Sequence, residues 1–260
     1  MTSLDVLLAP PGSPASPPTT IGDDPAEALL QELYAYPPRA AGGWVRANMV
    51  SSVDGAATGA DERSGSINGP ADLRVFTTLR ALADVVLVGA GTVRAEGYRA
   101  PEIAEPLRSA RLARGRSAAP ALAIVSARGD VPTEVLRGGS PPWVFTTDDA
   151  PGVARLRAEL PSDHLHVHPG TVDLARVRTT LVAAGLPAIL TEGGPSLLGT
   201  LLAAGLVDEL CLTTSPQLVG GPAPRPVAGI GWLSPPARLG LAHLLHCEGV
   251  LLGRWLVEHQ

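Results

Sequence analysis

Lysine is absent from this 260-residue chain, whose 20 basic residues are all arginine. That excludes a Schiff-base lysine, a lysine general base and a lysine-dependent phosphate loop. Any phosphate must be held by arginine, hydroxyls, backbone N–H groups or helix N-termini. Aromatic residues are also scarce, at 3%, so a core has to be built from Ala, Val and Leu. There are only two cysteines. Cys211 and Cys247 lie far apart in apolar surroundings without a CxxC or HxE partner pattern, which excludes a zinc site and leaves two buried thiols. No apolar run reaches the ~20 residues of a membrane span. The short apolar run at residues 4–9 has no positive charge before it and makes a poor secretory signal, so the expected location is the cytoplasm. A basic surplus is missing as well: the net charge of −5 argues against a nucleic-acid partner, while leaving room for a local basic pocket.

What is present, 45% apolar and 17% charged residues, suffices for a folded α/β chain. The run PPGSPASPPTT cannot pack as a regular element, so residues 1–20 are expected to form a flexible extension to one domain at 21–260. A short helix is expected over residues 26–34, with Asp24 as N-cap and Pro25 at its first position. Beyond it, WVRANMVSS, DVVLVGAG, ALAIVS, PPWVFTT, HLHVH, PAILTEGG and DELCLTTSP read as strands. GVLLGRWLVE closes the sheet. Helical periodicity runs through PADLRVFTTLRALA (Leu73, Phe76, Leu79, Leu82), VDLARVRTTLVAAG and PSLLGTLLAAG. Strands alternating with helices imply a mostly parallel sheet covered on both faces.

Two segments repeat one arrangement: a buried strand, a glycine turn and a helix start. In the first, Gly89 and Gly91 allow close backbone approach to a ligand, and Thr92 offers a hydroxyl at a helix start. Arg94 stands where a Rossmann fingerprint needs its third glycine, so this is not that motif. In the second, Gly193 and Gly194 open a nest of N–H groups and Ser196 sits near a helix N-terminus that favours an anion. Glu192, at the mouth of an apolar strand, is either a solvated or capping turn residue or an acceptor for ligand hydroxyls and ring N–H groups. His164, His166 and His168 alternate on one strand face. With no further ligand expected nearby, a surface edge strand is a simpler reading than a metal site.

The order ANMVSSVDG, SINGPAD, LRALADVVLVGAGTVRAE, then TEGGPSLLGTLLAAGLVDELCLTTSPQLVGG resembles the pyrimidine reductases of riboflavin biosynthesis, over roughly residues 44–225. The deaminase signature HxE…PCxxC of the bifunctional members is absent from the chain, which therefore looks like a standalone reductase. The resemblance implies a three-layer αβα, dihydrofolate-reductase-like fold with a mixed, mostly parallel sheet, and a homodimer. It also implies NADPH-dependent reduction of 5-amino-6-(5-phosphoribosylamino)uracil to the ribitylamino product. By the same resemblance, Ser51 lies beside the nicotinamide, Asp54 shapes the reaction site, and Asn68 and Asp72 contact NADPH or position its helix. Thr92 and Glu96 follow as cofactor contacts beside Gly89 and Gly91. Glu192 is implied as a catalytic-site and substrate-binding carboxylate. Gly193, Gly194, Pro195, Ser196, Leu197, Leu198, Gly199 and Thr200 line the pyrophosphate. Asn48, Ser64 and Arg80 take the substrate and its phosphate. Ser126 and Arg128 suit the 2′-phosphate of NADPH, since arginine with a hydroxyl fits a phosphomonoester.

Two departures from the family pattern bear on the substrate. Asn48 replaces a substrate-contacting lysine of the bifunctional enzymes. AEGY, containing Glu96, Gly97 and Tyr98, replaces ADDP, so that Arg99 is expected to stand in for a displaced basic group. Two alternatives accompany the riboflavin reading: a dihydrofolate- or pterin-type reductase, and a nucleotide-binding module without turnover.

Overall fold

The computed structural model describes residues 2–38 and 42–259. Among them an eleven-stranded sheet runs in the order β2-β1-β10-β11-β9-β3-β8-β4-β5-β6-β7. Its parallel part comprises β3 (Trp44–Ser52), β4 (Val85–Gly89), β5 (Ala121–Val125), β6 (Trp143–Thr147), β7 (Leu165–His168), β8 (Ala188–Thr191) and β9 (Glu209–Ser215). Beyond β9 the sheet turns antiparallel through β11 (Val250–Glu258), β10 (Arg238–Cys247), β1 (Leu4–Leu8) and β2 (Thr19–Ile21). The chain steps outward from β4 to β7, then returns to insert β8 between β3 and β4. Such a reversal opens a crevice beyond the carboxyl ends of the strands.

Alternation along β4 divides the apolar interior into two layers. Val86 and Val88 join Val75, Leu79 and Leu82 of α2 (Pro70–Leu82) on one face. Val85 and Leu87 join Val177 and Leu181 of α7 (Leu174–Ala183) and Leu198 and Leu201 of α8 (Pro195–Ala203) on the other. Each fully buried Val or Leu contributes on the order of 1.5–3 kcal/mol, so the aliphatic core needs few aromatics. The expected three-layer, mixed and mostly parallel fold holds.

The N-terminal extension is corrected. Leu4 and Val6 are buried while β1 pairs with β10 on one side and β2 on the other, so the Pro-rich run is a loop between two strands. The first helix, α1, covers only Ala28–Leu33, and the Asp24 carboxylate accepts from Ala26 N and Ala28 N in the turn before it. In α2 the buried positions are Ala71, Asp72, Val75, Thr78, Leu79, Ala81 and Leu82, while Leu73 is half exposed. The inward stripe is therefore set one position away from the Leu73–Phe76 series, and Phe76 is left to face a cavity. His164, just before β7, and His166 on it stack on Trp143, His166 also on Phe145, and His168 lies tilted against Phe145, so the three pack along β6 rather than converging on a ligand.

Candidate active site

Three adjoining cavities follow the carboxyl ends of β3, β8, β4 and β5. The first, of about 270 Å³, has walls from Asn48, Ser64, Asn68, Asp72, Arg80 and Glu192. It shares Met49, Ser64, Thr92, Glu96 and Glu192 with the second, of about 330 Å³, which adds Gly89, Gly91, Gly194, Pro195, Ser196 and Leu197. The third, of about 460 Å³, shares Gly89, Gly91, Ser196 and Leu197 with the second and ends at Ser126, Arg128, Thr171 and Thr200. One elongated cleft thus joins both glycine turns, which the order β3-β8-β4 brings together.

The glycines allow this closeness. Gly89 N donates to Gly193 O at 2.9 Å, directly linking the turn after β4 to the turn after β8. Gly193 has φ +91°, and a Cβ on it would stand 3.2 Å from the Met49 sulfur. A Cβ on Gly194 would stand 2.7 Å from Thr92 Oγ1, so a side chain there would occupy the junction of the first two cavities.

At the closed end of the first cavity, Arg80 in the last turn of α2 donates from Nε to Glu192 Oε1 and from Nη2 to Oε2, both at 2.7 Å. Nη2 also reaches the Tyr98 hydroxyl at 2.6 Å, and that hydroxyl donates to Glu192. The guanidinium lies over the Phe76 ring at 4.2 Å. Burial raises the Tyr98 phenol well above its ordinary range, the neighbouring Glu192 charge adding to the effect. Tyr98 is therefore a neutral hydroxyl that fixes both ions. Sequence reasoning passed over it; the signal was an aromatic residue, one of three tyrosines in the chain, immediately after the Gly97 departure. Glu96 accepts from Ser64 N and Ser64 Oγ at 2.9 Å each, tying the 64–66 turn to the end of α3 (Ala90–Ala95).

Several expected site residues lie elsewhere. Arg99 lines a separate cavity with Arg94, Glu102 and Glu134, behind Tyr98, so it does not replace the displaced basic group. Ser51 is buried and its Oγ donates to Ser52 O, away from the cleft walls. Leu198 belongs to the core and Gly199 packs against the 219–237 loop, where a Cβ would stand 2.3 Å from Ala228 O. Helical rotation turns these two inward while Ser196, Leu197 and Thr200 face the cleft. Gly193 forms the turn beneath the cleft without lining it.

Asp54 is also outside the cleft. Its carboxylate accepts from Ser52 Oγ at 2.6 Å, Val219 N at 3.1 Å and Gly220 N at 2.7 Å, stapling the turn after β3 to the long loop after β9. These hydrogen bonds, Ser52 first, hold its carboxyl down at about 2. A depressed folded pKa means the staple is fully formed above the ordinary value of 3.8 and is lost as pH falls toward 2. Asp54→Ala is expected to speed amide hydrogen exchange at Val219 and Gly220 severalfold while leaving exchange in β3 unchanged. Equal rates in both proteins would remove the staple role.

The sheet, its reversal point and the cleft define an α/β oxidoreductase of the pyrimidine-reductase class. The chain belongs to the RibD C-terminal domain family, whose model matches residues 43–252. A curated relative from Archaeoglobus fulgidus, 2,5-diamino-6-ribosylamino-4(3H)-pyrimidinone 5′-phosphate reductase, is 27% identical over 180 residues, 68% of this chain and 82% of that protein. The riboflavin biosynthesis protein RibD of Mycobacterium tuberculosis is 30% identical over 174 residues, 66% of this chain, which spans only 42% of its length. A solved pyrimidine reductase-like protein from Corynebacterium diphtheriae shares the fold with a TM-score of 0.74, at 24% identity over 89% of this chain and 99% of that one.

Proposed function

We propose that the chain reduces 5-amino-6-(5-phosphoribosylamino)uracil to its ribitylamino counterpart with NADPH. The observation that carries this reading is the single cleft in which both glycine turns meet next to the Arg80–Glu192–Tyr98 cluster, within the span matched by the family. The residues present fit a dinucleotide. Gly194 lacks the Cβ that would crowd Thr92, the start of α8 with Ser196 offers N–H donors to an anion, and Arg128 with Ser126 marks the far end for a phosphomonoester. Bound there, NADPH supplies a hydride.

The protein's own part is to orient the substrate and exclude water. Asn48, Ser64 and Asn68 offer neutral polar groups to a pyrimidine ring and ribose, and Arg80 retains Nη1 without a hydrogen-bond partner among the described residues. Glu192 acts chiefly by orienting Arg80. Leu8, Leu239, Leu251 and Leu256, exposed on the antiparallel strands, support a homodimer. No helix among the described residues is long and apolar enough to cross a membrane, in keeping with a cytoplasmic enzyme.

A second reading, reduction of a dihydrofolate or other pterin-type ring, draws on one observation. Among the described residues, Asp72, Glu96 and Glu192 face the first cavity against one cation, Arg80, which suits ring amino groups better than a phosphate. The test is NADPH oxidation with the aminouracil phosphate beside dihydrofolate. Turnover confined to the uracil compound is the expected result. Turnover confined to dihydrofolate would transfer the function to the second reading, and NADPH binding without oxidation of either would leave a binding module.

A further inference from the structure

We propose that Asp72 is the general acid that opens the ribosyl ring of the substrate by protonating its ring oxygen, O4′. This rests on the aminouracil-phosphate reading above. Asp72 lies in the first turn of α2, two residues after Pro70, is only 4% exposed, and lines the first cavity with Asn48, Asn68, Phe76 and Arg80. It lies on the wall of the first cavity and not of the second, and so at the substrate end of the cleft.

Of the carboxyl groups that the described residues place on the first cavity, it is the one engaged by no arginine, tyrosine or serine. Arg80, on the same helix, is engaged by Glu192 and Tyr98. Arg74, also on α2, turns away to Glu27 and the N-terminal segment. Glu96, at the end of α3, accepts two hydrogen bonds from Ser64, and Glu192, after β8, accepts from Arg80 and Tyr98. From β3 the cavity receives the uncharged Asn48. Asp72 has no ion-pair partner and no backbone N–H donor among the described residues; the Thr213 hydroxyl of β9 is the neighbouring group that favours its charged form. Burial raises its carboxyl above the ordinary value of 3.8, and Thr213 holds it partly back. The N-terminus of α2 stabilises the carboxylate left behind, easing departure of the proton.

The step balances without a further reactant. The glycosidic nitrogen's lone pair forms a C1′=N bond as the C1′–O4′ bond breaks. The released electron pair takes the Asp72 proton, giving a 4′-hydroxyl, a protonated imine and the Asp72 carboxylate. The imine carbon is then the hydride acceptor that the overall reduction requires, and Asp72 regains its proton from solvent.

Positioned acids of this kind contribute typically 10²–10⁴-fold. Single-turnover reduction of the aminouracil phosphate is expected to slow as pH rises through the Asp72 titration. Asp72→Asn should slow it about 100-fold or more and erase that alkaline limb, with NADPH affinity unchanged. Thr213→Val should move the limb to higher pH, a change that a purely structural role would not produce. In the cofactor-free protein, 13C NMR of labelled Asp carboxyls should show one group titrating above the ordinary aspartate range, and its resonance should vanish in Asp72→Asn. If that variant does not fold, the Thr213→Val profile and the wild-type titration still decide the matter. Wild-type turnover with an unaffected Asp72→Asn rate, a limb that Thr213→Val leaves in place, or no raised carboxyl would each overturn the acid role alone. No wild-type turnover of the aminouracil would overturn the functional reading, and the ring-opening role with it.

Discussion

Glu209→Gln is expected to lower the unfolding free energy by about 3–5 kcal/mol, the cost of leaving a buried charge without its partner. Glu209 is fully buried and accepts from Arg46 Nε at 2.5 Å, Arg254 Nε at 2.9 Å and Trp44 Nε1 at 3.0 Å. Arg46 is equally buried, donates to Tyr34 O at 2.7 Å and lies over the Tyr36 ring at 4.0 Å. Arg254 reaches Leu33 O and Ala35 O, so the cluster also ties the segment after α1 to the sheet. With Glu209 neutral, Arg46 would remain in the interior as an uncompensated cation. Urea titrations should show a lower midpoint with an unchanged slope, since the native fold and the area exposed on unfolding stay the same. A midpoint within error of the wild type would show that the cluster is not stabilising.

The same cluster makes a pH prediction of defined sign. Burial alone would push the Glu209 carboxyl up, but Arg46 and Arg254 together outweigh it and hold it at about 2, against an ordinary 4.5. A depressed folded pKa gives stability that is complete above 4.5 and lost as pH falls toward 2. The Glu209 share of the loss should therefore fall in that acidic window and be missing from Glu209→Gln, which keeps the smaller loss due to groups such as Asp54. Arg46 pairs in register with Glu209 across β3 and β9, and Asn48 and Met49 follow on β3 at the cleft. The salt-bridge cluster thus fixes the strand that carries the cleft residues Asn48, Met49 and Val50.

The sequence made the central strands legible because their burial is extreme. β3 is buried along nearly its whole length and β4 is an apolar run, and both end in turn residues; the limits of β3 match WVRANMVSS and β4 falls within DVVLVGAG. The helix at 195–203 was legible from Pro195 and its leucines, but which of its residues face the cleft depends on rotation, so Leu198 and Gly199 were misassigned. β1 was hidden by the Pro-rich run after it, although Leu4 and Val6 already alternated with Asp5 and Leu7. Arg46 and Glu209 are 163 positions apart, and only the parallel register of β3 and β9 joins them. Asp54 was placed at the reaction site by the resemblance alone, whereas the partners that fix it, Val219 and Gly220, come from the distant loop after β9.

Arg80→Met should abolish measurable turnover and cost about 2–4 kcal/mol of stability, for two separable reasons. The stability loss comes from Glu192, whose side chain is 5% exposed and would keep only the Tyr98 hydroxyl as a partner. Neutralising that carboxylate in the double variant Arg80→Met/Glu192→Gln removes the uncompensated charge, so stability should recover in large part. Activity should not recover, because the double variant still lacks Arg80, the one cation that the described residues turn to the first cavity. Glu192→Gln alone would keep the guanidinium but loosen its two-point anchorage, so its defect should appear in KM more than in kcat. A double variant that regained both stability and turnover would show that the ion pair serves folding alone. Tyr98 makes the distinction sharper. Its hydroxyl bridges both ions in the intact protein, so Tyr98→Phe should weaken substrate binding without the large stability loss of Arg80→Met, since neither charge is left alone.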